Sequence, residues 1–113
     1  MATSADFSLT VPAVTAGTQV SVTLSRPSRQ YTASFTAAVA GVEERAAMTV
    51  LSESDTKVVY GWDVPLAWCR ELPHSVSAEG ELRADIAFDS AIDALDNPHV
   101  CTVTAPFTAF AAC

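Results

Sequence analysis

Two imidazoles, three thiols and a cluster of carboxylates are the groups from which this sequence could build chemistry. His74 precedes Ser75, the pair a hydrolytic nucleophile and its base would need. Side chains of adjacent residues diverge, however, and spacing places no third group to orient the imidazole. His99, Cys101 and Cys69 are of the types that ligate zinc. In the plainer reading His99 opens a strand near solvent and Cys101 is a small buried hydrophobe. Asp89, Asp93, Asp96 and Asn97 carry the oxygen ligands calcium prefers, but their spacing does not match an EF-hand, and they read as a solvated loop. The four glycines are isolated, so no phosphate-cradling loop is present. The sequence thus predicts no catalytic residue, no cofactor and no metal site.

Contact chemistry has better candidates. Tyr31 and Trp68 could stack on a sugar, although rings in a small all-β domain more often fill its core. Near the C-terminus, Phe107-Thr108-Ala109-Phe110-Ala111-Ala112-Cys113 places two phenylalanines beyond the last turn signal. Phe107, Phe110 and Cys113 are therefore candidates for an interface with a neighbouring subunit. The competing reading is that the segment completes its own sheet. Cys113 is expected to be a solvent-accessible thiol.

These residues must be positioned by one core, because 113 residues is the usual size of a single domain. Thirteen acids against six bases give a formal net charge of −7, which repels a polyphosphate backbone and argues against nucleic-acid binding. Apolar residues are dispersed and form no run of the ~18 residues that a membrane-spanning helix needs. Met1 to Asp6 is polar and has no signal-peptide pattern. An odd cysteine count without CxxC spacing argues against a disulfide framework and fits synthesis in a reducing compartment. A Cys69–Cys101 bridge stays open if their strands are neighbours.

Period-two alternation dominates the chain and predicts strands. Phe7, Leu9 and Val11 form one such set, and Val20, Val22 and Leu24 a second. Arg26-Pro27-Ser28 reads as a turn. Tyr31, Ala33, Phe35, Ala37 and Val39 share the face of a third strand that stops near Gly41. A fourth runs through Ala46, Met48 and Val50, where the Glu, Arg and Ala from Val42 onward would also suit a helix. Val58, Tyr60, Trp62 and Val64 form a central strand with Trp62 as core anchor. Leu66 to Leu72, between Pro65 and Pro73, is expected to make a short helix. Leu82, Ala84, Ile86 and Phe88 form the dry face of a two-faced strand, and the last strand, Val100 to Ala105, is expected to end at Pro106. About seven strands and one short helix predict an immunoglobulin-like antiparallel β-sandwich, one domain spanning 1–113 with 107–113 as an apolar extension.

The order of several segments carries a further signal. Phe7-Ser8-Leu9-Thr10-Val11-Pro12 is followed by Tyr31-Thr32-Ala33-Ser34-Phe35-Thr36 and by Tyr60-Gly61-Trp62-Asp63-Val64-Pro65-Leu66. Then come Leu72-Pro73-His74-Ser75-Val76-Ser77-Ala78-Glu79-Gly80-Glu81-Leu82 and Val103-Thr104-Ala105-Pro106. This order resembles the β-sandwich modules of siphophage tail and virion structural proteins of unknown function. Each motif is degenerate, and the sequence departs from the pattern at Ser77 to Gly80 and in the longer Asp89–His99 loop. The resemblance implies a virion component, made in the host cytoplasm, that assembles with other virion proteins or copies of itself, or touches the host surface. A carbohydrate-binding module on a bacterial surface, using Tyr31 or Trp68 on a glycan, is the alternative.

Overall fold

Alternating small polar and branched apolar residues commit most of this chain to half-buried strands. The computed structural model describes residues 3–39, 41–65, 78–88 and 100–110. A 3₁₀ turn, Ser4–Asp6, is followed by β1 (Ser8–Thr10), β2 (Val14–Thr15), β3 (Gln19–Ser25), β4 (Tyr31–Val39) and β5 (Val42–Ala46). Then come β6 (Met48–Glu53), β7 (Lys57–Asp63), β8 (Ala78–Phe88) and β9 (Cys101–Phe110). One sheet has the order β1-β3-β7-β6 and the other β2-β9-β8-β4-β5. The two pack face to face as an all-β sandwich. Pairing is antiparallel throughout except between β2 and β9, which run parallel.

The core lies where the inward residues of the two sheets meet. Val22 and Leu24 of β3 and Val58, Tyr60 and Trp62 of β7 face Phe35, Ala37, Leu82, Ala84, Ile86, Phe107 and Ala109. Aromatic rings join the layers: Trp62 meets Phe107 edge-on at 5.6 Å, and Phe35 meets Tyr60 at 4.9 Å. Trp62 is the largest fully buried side chain, as the central-strand pattern predicts. Gly80 makes room for this joint, because a Cβ there would come within 2.5 Å of the Phe107 ring and 2.8 Å of Val39.

The structure revises the strand count and two boundaries. Among the described residues there are nine strands, not about seven. The single strand expected through Ala46, Met48 and Val50 is two: β5 pairs with β4 in one sheet, β6 pairs with β7 in the other, and Ala47 alone carries the chain across. The last strand does not end at Pro106 but continues to Phe110. Proline is tolerated there because β2 reaches only Ala109 and Phe110, so beside Pro106 one edge of β9 has no strand partner among the described residues and needs no N–H. The helix expected over Leu66 to Leu72 lies outside the described residues. No helix among those described is long and apolar enough to cross a membrane.

The chain changes sheet at residues 14–18. Ala16 donates its N–H to the Phe110 carbonyl of one layer, and Gly17 donates to the Val64 carbonyl of the other. Gly17 has φ of 80°, which a side chain would disfavour. This crossover pins the end of β9 into the molecule.

Candidate functional site

Among the described residues the outermost strands are β1 and β6 in one sheet and β2 and β5 in the other, and they differ in length and charge. β1 has three residues and β2 has two. β5 carries Glu43, Glu44 and Arg45 within five residues, the charge that blunts an edge against foreign strands. β6 has six residues and no charge from Met48 to Ser52. Val50 and Leu51 on it are 55% and 50% exposed.

A cleft of about 500 Å³ opens between β6 and the neighbouring edge of the other sheet. It forms because β5 covers β4 only from Phe35 to Val39, leaving the Thr32–Ser34 edge uncovered by β5 when the chain crosses at Ala47. Phe35, Ala46, Met48, Val50 and Tyr60 give the cleft an apolar wall, and Arg26, Arg45 and Glu53 supply its charges. Val50 lies opposite Tyr60 in the register and so faces the inner side of its sheet. Its exposure on that side leaves this end of the core uncovered among the described residues.

Arg26 fixes the deep end of the cleft. It follows β3, and its backbone N–H bonds to the Thr56 carbonyl at 2.9 Å. Its guanidinium is 2% exposed; Nη1 donates to the Tyr31 carbonyl, and Nη2 donates to Glu53 and to the Ser54 carbonyl. One buried cation thus ties the start of β4 to the end of β6, across the two sheets. A planar guanidinium suits this task because its donors are held in a fixed fork.

Replacing Arg26 by Ala is expected to cost about 2–3 kcal/mol, read as a lower urea midpoint. The Tyr31 carbonyl loses a charged donor, while Glu53, whose side chain is 42% exposed, regains water and limits the loss. Glu53→Gln is expected to cost less, because the amide oxygen still accepts from Nη2.

Burial pushes the Tyr60 hydroxyl above the usual tyrosine range; the charge of Arg26 opposes this and Glu53 reinforces it. Tyr60 is one of the residues that line the cleft. Since the folded pKa is raised, the unfolded chain loses this proton first. The resulting stability is complete below the ordinary tyrosine pKa and is lost as pH rises through the folded value. Urea midpoints measured from about pH 8 to 11.5 are expected to fall above ~10. Tyr60→Phe should flatten the fall.

The other candidates are distributed as follows. Tyr31 is buried, with its ring edge-on to Phe7 at 5.3 Å and tilted on Phe88 at 5.1 Å, so it offers no open face to a sugar. Phe107 is a core residue against Trp62, while Phe110 is 44% exposed on the last residue of β9. Cys101 is a half-buried free thiol whose pKa is raised by burial and then by Asp6. Trp68, Cys69, His74, the Asp89–Asn97 carboxylates and amide, His99 and Cys113 lie outside the described residues. Among those described, no group of three or more His, Cys, Asp or Glu is placed to hold a metal.

Sequence reasoning placed a strand through Met48 and Val50 but missed that β6 is separate from β5 and stands at a sheet edge, and it missed the Arg26 clamp. The only early sign of the edge was its composition, the uncharged run Met48 to Ser52. No protein-family model matches the chain, and no curated protein matches it.

Proposed function

We propose that the chain is a structural and interaction module of a bacteriophage virion, in its tail, a fibre or a head decoration, acting through protein contact and not through catalysis. The observation that carries this reading is the β6 edge: six residues, uncharged from Met48 to Ser52, outermost in its sheet among the described residues and beside an apolar cleft. Such an edge offers unpaired N–H and C=O groups to another chain, and uncovered apolar side chains add the driving force for association. The resemblance of its segment order to siphophage tail and virion modules suggests the setting. The acidic surface, −7 overall, suits contact with protein better than with packaged nucleic acid. The Tyr31 ring is enclosed and offers no platform to a host-surface glycan, while Trp68, the other platform candidate, lies outside the described residues.

The test is to label particles purified from cells carrying the gene with antibody against the chain, and to quantify its copies by mass spectrometry. Recovery with intact particles, in a copy number that is a multiple of the particle's symmetry, supports the reading. Recovery entirely in the particle-free fraction overturns it.

A further inference from the structure

We propose that the cleft is a binding site for a small neutral amide built on one apolar L-amino-acid residue, which pairs with the open backbone of Ala33 and sets its side chain into the cleft. This goes beyond the assembly reading and does not rest on it.

The backbone of β4 fixes where such a molecule is held. Ile86 of β8 gives its carbonyl to the Val100 N–H on the β9 side, at 2.8 Å. In an antiparallel ladder the N–H and C=O of one residue point the same way, so Ile86 and its partner Ala33 form a non-hydrogen-bonded pair. Ala33 therefore turns both groups to the opposite edge of β4. Tyr31, two residues earlier, does the same, and its carbonyl takes Arg26 Nη1 at 2.6 Å. β5 pairs with that edge only as far as Phe35, opposite Ala46. The edge is thus filled by β5 at Phe35 and capped by Arg26 at Tyr31. Between them, the N–H and C=O of Ala33 have no ladder partner among the described residues. The gap is one residue wide.

A gap of that width selects its occupant. A single residue paired antiparallel meets both groups of Ala33 with its own C=O and N–H, whereas the slanted bonds of parallel pairing need a longer stretch. Residues directly opposite in a ladder project their side chains to the same face. Ala33 shares the inner face with the buried Tyr31 and Phe35, so an L residue opposite it directs its side chain into the cleft, beside Phe35, Met48 and Val50. The volume of about 500 Å³ lies within the roughly 300–1,000 Å³ of small-molecule sites. Twelve residues line the cleft, about half of the 20–30 that a protein partner engages on each side, so the occupant is a small molecule. Arg26 is paired with Glu53, which leaves the deep end without net charge and favours a neutral ligand. Arg26 Nε is buried without a hydrogen-bond partner among the described residues, so this end is polar and suits a terminal amide.

The probe is N-acetyl-L-leucine N-methylamide, titrated into the reduced, isotope-labelled full chain with backbone amide shifts as the readout. A molecule of this size implies a Kd on the order of 1 mM, so the titration runs to about 20 mM. Saturable shifts are expected at Ala33, whose N–H moves downfield on gaining an acceptor, and at Met48 and Val50. The D enantiomer turns its side chain to the outer face, and methylating the leucine nitrogen removes the donor to the Ala33 carbonyl. Each should bind about fivefold or more weakly. Ala33→Leu, which extends a side chain into the cleft, should do the same once a wild-type thermal transition is confirmed; the two altered ligands need no variant. N-acetyl-alanyl-leucyl-alanine amide should gain little, because Ala47 and Arg26 close the gap at its two ends. No saturation across the range overturns the proposal. So does equal binding of the two enantiomers, which removes the pairing with Ala33. A tenfold gain by the longer peptide overturns it too, by making the cleft a site for a protein chain. Particle labelling reads the virion assignment separately, so the two can fail independently.

Discussion

Ending the chain at Pro106 is expected to abolish the cooperative thermal transition, leaving a chain without native near-ultraviolet circular dichroism at 25 °C. The segment reads in sequence as an extension past a proline, yet it is structural. Phe107 and Ala109 are 4% and 0% exposed. Its ladder joins Phe107 to Gly80, Thr108 to Glu79 and Ala109 to Ala78 on one side, and Ala109 and Phe110 to Val14 and Thr15 on the other. Removing a buried phenylalanine side chain alone costs about 3–5 kcal/mol. The truncation also removes Ala109, which pairs with Val14 of β2, and Phe110, whose carbonyl accepts from the Ala16 N–H. Together these losses match or exceed the 5–15 kcal/mol that typically holds a domain folded. The control is Phe110→Ser, which keeps the ladder and alters a ring that is 44% exposed. Its cost should be about 0.5 kcal/mol or less, as for other surface changes. Comparable damage from both changes would mean that β9 beyond Pro106 does not form part of the sheet.

The same segment shows what could be read from the sequence and what could not. Alternation identified β3, β4, β7 and β8, because each buries one face and sequence records that as period two. It also singled out Trp62, whose bulk on a central strand has nowhere to go but the core. Pro106 misled because the rule that proline ends a ladder holds only where the ladder has two sides. Whether β9 has a partner on that side depends on β2, which lies about ninety residues earlier in the chain and pairs in parallel. The division between β5 and β6 was hidden for a different reason. A single alanine makes the crossing, and Ala47 carries none of the Gly, Pro or Asn chemistry that marks a turn.

The site was less legible than the fold. An edge is a property of strand order, and spacing along the chain does not determine strand order. β6 looks like any other apolar strand until β7 is known to cover only one of its sides. Arg26 was read as part of a turn, as Arg-Pro-Ser suggests. Its burial depends on the Tyr31 and Ser54 carbonyls and on Glu53, 27 residues away, and carbonyl groups leave no mark in a sequence. The aromatic candidates failed to separate because the same ring can bind or pack. For Tyr31 the answer came from Phe7 and Phe88, which enclose it.

Replacing Trp62 by Ala is expected to cost about 3–5 kcal/mol, the range for removing a large buried ring. In a chain of this size, that lowers the thermal midpoint by roughly 10–20 °C. Trp62 is 1% exposed, sits on β7 between β3 and β6, and meets Phe107 of the opposite sheet at an interplanar angle of 80°. Its removal therefore opens the core at the joint between layers, where Gly80 leaves no spare side chain to move in. The edge-on geometry adds a term beyond area, since the positive rim of one ring meets the negative face of the other. A cycle of Trp62→Ala, Phe107→Ala and the double variant should give a coupling of about 0.5–1.5 kcal/mol, with the double variant less damaged than the sum. Strict additivity would show that each ring contributes through its own burial alone. The inter-sheet joint would then be held by the aliphatic residues around it, chiefly Leu82 and Val22.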